Sequence, residues 1–387
     1  MKTIKKFFQI LIIPIYIVSH VLGIFNITTV GPIIHTGCFF IGMVLFLKRK
    51  IPFQNYVISI LLIAFYVYLY TTNIFDPLAK QLGLHSKWWL YSLLYTMFIV
   101  IFGIHVLYKR RHDRYQVYRT ISVMFFQVIF AFSIPFVMFL FQQKEYYFTY
   151  LWPLQIEYFY PTKIFAFPLP LILYSFLGSL VLFPILAILF GKRFYCSWVC
   201  GCGGLAETFG DRWRHLSDKS KSAWKFEKIS IHSVLVLAIT STFLIIINWA
   251  IGKTNPEFSS FAFMLQKYYG IFISFALAGA AGVGFYPLLG TRVWCRFFCP
   301  MAAMLGLLQK IGRYHIHVKD NMCISCGNCS TFCEMGIDVR TYAEINESFT
   351  RASCVGCGIC AHVCPRGVLK LENKKILFQK NSLEKKV

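Results

Sequence analysis

Two cysteine-rich stretches near the C-terminus decide the fold: CISCGNCSTFC at residues 323–333 and CVGCGICAHVCP at residues 354–365. Each has four cysteines separated by two, two and three residues, which is the run that binds 4Fe–4S clusters in bacterial ferredoxins. In those proteins the fourth cysteine of each run ligates the cluster of the other run. We therefore predict two 4Fe–4S clusters. The expected ligands are Cys323, Cys326, Cys329 and Cys364 for the first cluster, and Cys354, Cys357, Cys360 and Cys333 for the second.

Structural zinc and disulfides are the alternatives for closely spaced cysteines, but zinc knuckles seldom repeat this spacing twice. A proline, Pro365, follows the last cysteine of the second run, whereas Glu334 takes that position in the first run. The sequence of residues 311–387 offers no substrate pocket and no general base. We therefore predict that this ferredoxin domain conducts electrons, and we assign no catalytic residue.

The remainder of the chain has the composition of a membrane protein. Of 387 residues, 57% are hydrophobic and only 14% are charged, about half the usual charged share of a soluble domain. Apolar runs of about 17–24 residues, long enough to cross a bilayer, predict eight membrane spans. They lie near residues 7–27, 30–47, 55–73, 88–108, 120–141, 168–190, 229–249 and 270–289.

The basic residues predict the orientation of these spans. With the N-terminus inside, the inner segments up to residue 228 carry about 19 Lys and Arg residues, against about 6 in the outer loops. The positive-inside rule then places both termini in the cytoplasm. We expect the protein in a bacterial cytoplasmic (inner) membrane. The formal net charge of +23 therefore indicates contact with membrane lipid rather than with nucleic acid.

These patterns predict a fold class and three regions. The fold class is a multi-span α-helical membrane bundle of about eight helices with a C-terminal α+β double 4Fe–4S ferredoxin domain. Residues 1–115 form an N-terminal four-span region, residues 116–310 a membrane core, and residues 311–387 the cytoplasmic ferredoxin domain. Residues 143–167, rich in Tyr, Phe and Trp, are expected to form an interfacial aromatic belt or a re-entrant cap.

A second cysteine repeat follows the predicted spans that end near residues 190 and 289. Each copy has a basic residue, an aromatic residue and then Cys-x3-Cys. If each pair lies on one helix, the i, i+4 spacing puts both thiols on one face. Three interpretations stay open: a further iron–sulfur or metal centre, a redox dithiol or copper site, and cysteines that only pack. The thiols concerned are Cys196, Cys200, Cys202, Cys295 and Cys299.

The order of these motifs, tandem Cys-x3-Cys pairs followed by the double ferredoxin run, resembles the NapH/NosR/CcoG/YccM group of bacterial membrane iron–sulfur proteins. The resemblance covers roughly residues 165–370. It implies electron transfer at the inner membrane, commonly linked to quinol, that serves respiratory reductases, metal reduction or enzyme assembly. The first motif departs from the group because Gly201 stands where proline is expected and Cys202 adds a thiol. The ligand set of this site therefore stays open.

Four histidines in the predicted spans are candidates for a haem or quinol site, since ionisable groups inside a membrane are often functional. A histidine that only bonds a neighbouring carbonyl is the alternative, and we favour it over a haem ligand. The sequence contains no nucleotide-binding fingerprint, so no nucleotide cofactor is predicted. The four histidines are His20, His35, His105 and His232.

The predicted function is membrane-bound iron–sulfur electron transfer. The chain would pass electrons between the quinone pool, or a protein redox partner in the membrane, and the cytoplasmic 4Fe–4S clusters. It would act as an oxidoreductase component rather than as a stand-alone enzyme. The alternative is a copper or metal reductase, or a metalloenzyme assembly factor, that uses the cysteines of the second repeat.

Overall fold

Six long helices dominate the fold. The computed structural model describes residues 51–373, apart from residues 85, 253 and 254. Within these residues, six helices are long and apolar enough to cross a membrane. In chain order the helices used below are α1 (Phe53–Thr71), α2 (Lys87–Lys109), α3 (Arg114–Leu140), α4 (Leu169–Phe190), the short α5 (Arg193–Cys196) and α6 (Gly201–Glu207), α7 (Lys221–Ala250), α8 (Pro256–Gly284), and the short α9 (Val293–Phe297) and α10 (Pro300–Lys310).

The six long helices coincide with the last six predicted spans, while the spans predicted at 7–27 and 30–47 lie outside the described residues. The predicted bounds of the last span, 270–289, are wrong. Helix α8 begins at Pro256, because the side chain of Asn255 accepts hydrogen bonds from the first free amides and proline fits the first turn. The helix ends at Gly284, before the predicted limit.

Shorter elements connect the long helices. Three of the long helices contain π-helical turns, at Gln127–Ser133 in α3, Gly178–Leu182 in α4 and Tyr269–Ala281 in α8. The other helical turns are Asp76–Gln81, Ile156–Phe159, Pro161–Ile164, Phe209–Leu216, Tyr286–Leu289, Asn328–Thr331, Val339–Glu344 and Ile359–His362.

The ferredoxin domain is closed by one antiparallel pair of strands, β1 (Tyr314–Val318) and β2 (Leu369–Asn373). Between them, each cysteine run forms a tight loop followed by a one-turn helix. Gly327 and Gly358 start these helices with φ of 77°, a left-handed conformation that glycine adopts without steric cost. The same backbone geometry therefore occurs in both runs.

The aromatic segment 143–167 packs inward instead of lying on the surface. Tyr146 is fully buried and stacks on Tyr158, with ring centroids 4.6 Å apart. Thr149 accepts a hydrogen bond, through its backbone carbonyl, from the Tyr195 hydroxyl at 2.6 Å. Because Tyr195 precedes Cys196 directly, the segment reaches the first Cys-x3-Cys motif, as a re-entrant cap would.

Candidate iron–sulfur sites

The structure brings the thiols of the ferredoxin domain together in two groups. In the first group, all four thiols line one cavity, with Cys329 buried and Cys326 exposed. Burial raises the pKa of Cys329 to about 11, and the neighbouring thiols add to the rise. Four thiols around one cavity fit a cubane cluster, which needs four thiolates. The group consists of Cys323, Cys326, Cys329 and Cys364.

The second group likewise combines three cysteines of one run with the fourth cysteine of the other run. Burial, followed by the charges of the other three thiols of this group and then of Cys329 in the first group, raises the pKa of Cys360. Backbone amides approach the sulfurs as they do around a cluster: Gly356 N lies 3.4 Å from Cys354 Sγ, and Ile337 N lies 3.4 Å from Cys333 Sγ. Such N–H···S contacts stabilise thiolate charge. The group consists of Cys354, Cys357, Cys360 and Cys333.

The Cys-x3-Cys repeat folds twice into the same local structure. Gly191 and Gly290 each end a helix at positive φ, 71° and 93°, five residues before the first cysteine of their motif. A one-turn helix, α5 or α9, then carries that cysteine. The second cysteine is the N-cap residue of the next helix, α6 or α10. The expectation that each pair lies on one helix face is therefore wrong, because the chain turns sharply between the two cysteines.

The two motifs meet although about a hundred residues separate them. Cys196, Cys200, Cys295 and Cys299 are all buried, and their thiols interact electrostatically with one another. Burial, together with these neighbours, raises the pKa of Cys196 to about 12. A hydrogen bond from Cys202 instead lowers the pKa of Cys200 to about 7. The extra thiol of Cys202 thus lies beside the other four thiols, and its hydrogen bond stabilises the thiolate form of Cys200.

Two glycines explain why the first motif departs from the family pattern. A Cβ atom at Gly201 would lie 2.4 Å from the Tyr150 hydroxyl and 2.5 Å from Gln127 Oε1, which leaves little room for proline. A Cβ atom at Gly203 would lie 2.0 Å from the carbonyl oxygen of Cys196. Helix α6 therefore packs its glycine face directly on the first cysteine.

A buried ion-pair network links the ferredoxin domain to the membrane core. Glu334 contacts Arg214 at 2.7 Å and Arg292 at 3.0 Å, and Arg292 also pairs with Glu207. Arg119 completes the network at 2.8 Å from Glu207. Burial alone would raise the pKa of Glu334, but the three arginines hold it at about 2. Each arginine of the network thus contacts a carboxylate, and each of the two carboxylates is shared by two arginines.

The loop of the second thiol group rests directly on the membrane core. The Ser197 hydroxyl donates to the carbonyl of Val355 at 2.8 Å, and Gln309 Nε2 donates to the carbonyl of Cys354 at 3.0 Å. Arg119 donates to the carbonyl of Cys357 at 3.0 Å. Since Ser197 follows Cys196, the second thiol group adjoins the site formed by the Cys-x3-Cys motifs.

A cavity of about 210 Å³ lies between α7, α10 and the ferredoxin domain and reaches Cys295. His232 lines it, and its Nδ1 lies 2.5 Å from the carbonyl of Lys228. His105 is exposed on α2, away from this cavity, and His20 and His35 lie outside the described residues. Besides Lys228, the charged lining residues are Lys192, Lys310, Arg296, Arg351 and Glu227.

A group of buried tyrosines, which was not predicted from the sequence, lies around Cys202. Tyr66 and Tyr91, from α1 and α2, have hydroxyl oxygens 2.9 Å apart. Burial raises the pKa of Tyr150, and the nearby Cys202 and Cys200 thiols add to the rise. Tyrosine is common throughout this chain, and no spacing marks these residues, so their convergence is visible only in the packed structure.

The fold and the thiol groups define the class: a membrane protein with a double 4Fe–4S ferredoxin domain. Residues 322–369 match the family model described as a 4Fe-4S dicluster domain. Residues 172–221 and 272–319, which contain the two Cys-x3-Cys motifs, match the model described as a 4Fe-4S binding domain. No solved structure matches the chain.

Among curated proteins, the chain is similar to the "Putative electron transport protein YccM" of Escherichia coli (strain K12). The two are 28% identical over 171 residues, which is 41% of this chain. The aligned part spans 46%, about half, of the length of that relative. Together with the domain matches, this similarity supports the resemblance to YccM-like iron–sulfur electron-transfer proteins that the motifs predict. The predicted cofactors, 4Fe–4S clusters, are confirmed.

Proposed function

We propose that the protein transfers electrons between a quinone in the membrane and its two 4Fe–4S clusters, by way of the four thiols of the Cys-x3-Cys motifs. When bound, each 4Fe–4S cluster accepts or donates one electron. Oxidation of one quinol to quinone releases two electrons and two protons, so the two clusters together can take both electrons. The observation that carries the proposal is the direct contact between the loop of the second thiol group and the segment that follows Cys196.

The ligands of the two clusters are part of this proposal. We assign the first thiol group to one cluster and the second thiol group to the other. The first group contains the exposed Cys326, and so it is the one that a protein redox partner could approach. The second thiol group would therefore hold the cluster that adjoins the membrane core, and the first thiol group would hold the cluster that a partner could approach.

A third centre, held by Cys196, Cys200, Cys295 and Cys299, would connect the bilayer to this route. Four mutually close, buried thiols supply a complete ligand set, and both motifs lie in segments that match a 4Fe-4S binding domain. Iron analysis of anaerobically purified protein tests this centre. Three clusters give about twelve irons per chain, and two give about eight. Replacement of Cys196 and Cys295 by serine should lower the count by about four irons.

The cavity beside Cys295 is the proposed quinone site. Five cationic side chains and one carboxylate, Glu227, line it. This excess of positive charge would stabilise the anion that forms when a quinol loses its first proton. Glu227 is itself buried and accepts a hydrogen bond from Arg296 Nε at 2.8 Å. His232 also lines the cavity, and it is the candidate general base that would take the two quinol protons in turn and pass them to water.

The experiment is anaerobic reduction of the purified protein by a short-chain quinol, followed by EPR of the reduced clusters. We expect His232→Phe to slow this reduction by roughly 100-fold, the usual contribution of a proton-transferring group. Reduction by dithionite should stay unchanged, because it does not use the cavity. His105→Phe, on the exposed face of α2, is the matched control. Equal rates of quinol reduction in both variants would contradict this assignment of the site.

The proposal also includes the orientation. One side of the helices carries the ferredoxin domain, the basic loop 109–114 and Lys192. Tyr115, which follows that loop, donates to the carbonyl of Gly356 at 2.6 Å, and Gln309, which accepts from Lys192 N, donates to the carbonyl of Cys354 at 3.0 Å. The positive-inside rule favours the cytoplasm for this side of a bacterial inner membrane. Cysteine labelling with a membrane-impermeant reagent at Lys109→Cys in intact cells would test it, since a cytoplasmic side leaves that cysteine unlabelled.

A second candidate function, copper or metal handling, is favoured by one observation. Five thiols converge in one buried place, and Cys200 has a pKa of about 7, so a thiolate is available there at neutral pH. Thiolates select soft metals such as Cu(I). Copper bound at about one ion per chain in protein purified with eight irons, and lost with Cys200→Ser, would favour this function over the third iron–sulfur centre.

A further inference from the structure

The strands that close the ferredoxin domain carry three side chains, none of them a cysteine, whose atoms could ligate a metal ion. His315 and His317 are two residues apart on β1, and so they lie on the same face of the strand. The strand register pairs His315 directly with Glu372 on β2. One ligand atom from each of the three side chains lies within 4.8 Å of the others.

We propose that His315, His317 and Glu372 form a binding site for one divalent transition-metal ion of the class of Zn²⁺, Co²⁺ and Ni²⁺. Imidazole nitrogens suit these ions, and two histidines with one carboxylate are an established zinc ligand set that leaves a coordination position open. Bonds of about 2.0–2.2 Å in a tetrahedral site place ligand atoms roughly 3.4 Å apart. The ligand atoms of the three side chains therefore need to approach one another by about 1.4 Å at most.

The surroundings of the group favour such a site. The His315 side chain is only 3% exposed, so the position is shielded from water on one side. Nδ1 of His317 lies 3.2 Å from the Ser348 hydroxyl, which also accepts a hydrogen bond from Val318 N at 3.0 Å. Histidines that bind a metal through one ring nitrogen commonly hold a polar partner with the other, which fixes the ring. Lys370, which the strand register pairs with His317, is exposed, so its charged group can turn toward solvent.

A bound ion would tie together two strands that flank both cysteine runs. The strand β1 also begins at Tyr314, whose hydroxyl lies 3.8 Å from Cys354 Sγ in the second thiol group. The ion would therefore fix the strand that touches this group. This role does not depend on the quinone site or on the direction of electron flow.

The test uses the full chain, purified anaerobically with its clusters and with an affinity tag that contains no histidine. Equilibrium dialysis against Zn²⁺ measures the affinity, and zinc-edge X-ray absorption identifies the ligand atoms without interference from iron. We expect one zinc per chain with nitrogen and oxygen ligands at about 2.0–2.1 Å. His317→Gln and Glu372→Gln should each weaken zinc binding at least tenfold, whereas the exposed His112→Gln should leave it unchanged.

Three results would overturn the proposal. The first is no zinc retained after dialysis, and the second is sulfur ligation at about 2.3 Å, which would place the zinc on cysteines. The third is an affinity that neither His317→Gln nor Glu372→Gln changes. Iron content is measured for each variant, so that a variant that has lost its clusters is recognised as misfolded. The conservative variant Glu372→Asp should then retain part of the affinity.

Discussion

Glu334 holds the ferredoxin domain on the membrane core, and its replacement by glutamine tests that junction directly. The carboxylate follows Cys333 in the first run, at the position that Pro365 occupies in the second run. It is 1% exposed and contacts Arg214 and Arg292, both of which are buried as well. Glutamine has nearly the same shape but no charge, so both ion pairs would be lost without a large change in packing.

The magnitude follows from the pKa of the carboxyl group. The network lowers the pKa of Glu334 from 4.5 to about 2, although burial alone would raise it. Since one pKa unit corresponds to about 1.4 kcal/mol, the charged form contributes about 3 kcal/mol to the folded state. Breaking a buried ion pair by removing one partner typically costs a similar amount, about 3–5 kcal/mol. We therefore expect Glu334→Gln to lower the free energy of local opening around residue 334 by about 3 kcal/mol.

Backbone hydrogen exchange of the intact protein in detergent measures this free energy, because exchange reports local opening. A loss of about 3 kcal/mol makes the amides around residue 334 exchange roughly 150-fold faster. The control is Glu344→Gln in the same domain, whose carboxylate makes an exposed pair with Arg340 at 3.6 Å. Exposed pairs contribute about 0–1 kcal/mol, so its effect should stay below roughly fivefold. Equal effects of the two substitutions would refute the reasoning.

The pH dependence of the same comparison has a defined sign. The folded-state pKa of Glu334 lies below the unfolded value, so its stabilisation is complete above about pH 4.5 and is lost as the pH falls toward about 2. The ratio of exchange rates between Glu334→Gln and the wild type should therefore narrow from pH 7 to pH 3. A ratio that stays constant over this range would mean that the carboxylate charge is not what stabilises the junction.

Two further predictions concern the site formed by the Cys-x3-Cys motifs. Gly203→Ala places a Cβ atom 2.0 Å from the carbonyl oxygen of Cys196, so we expect loss of any metal held there, measured by iron and copper content. Gly270→Ala, where nothing lies within 4 Å, is its control and should leave the metal content unchanged. Cys202→Ala removes the hydrogen bond that lowers the pKa of Cys200 to about 7. In cluster-free protein, alkylation of Cys200 at pH 7 should therefore slow by about tenfold for each unit by which the pKa of Cys200 rises. An unchanged alkylation rate would show that Cys202 does not set this pKa.

Much of the ferredoxin domain could be predicted from the cysteine spacing alone. Ligand loops of two and three residues are local, and glycines such as Gly327 and Gly358 supply the tight turns that they need. The cross-run grouping of Cys333 with Cys354 also follows, because the spacing is shared by ferredoxins as a class. The grouping of three cysteines of one run with the fourth cysteine of the other can therefore be predicted from the sequence.

The long helices could be predicted equally well, because hydropathy over about 20 residues depends only on composition. The predicted ends of these helices are less accurate than the prediction that the helices exist. The sequence just before residue 270 is polar enough to predict a loop. Helix α8 nevertheless begins as early as Pro256, with Asn255 as its N-cap residue. Local capping decides a helix end, whereas the apolar run decides only that a helix exists.

The sequence by itself determined the cofactor type, the existence of the spans and the identity of the cysteines, since each depends on residues close together in the chain. Only the tertiary structure decided that Cys196 and Cys295 meet, that Glu334 pairs with arginines of the membrane core, and that two histidines of β1 face Glu372. These contacts join residues that lie 42 to 120 positions apart in the chain. The physical reason is that such distant residues meet only when whole helices and strands pack, and packing depends on every element of the fold at once.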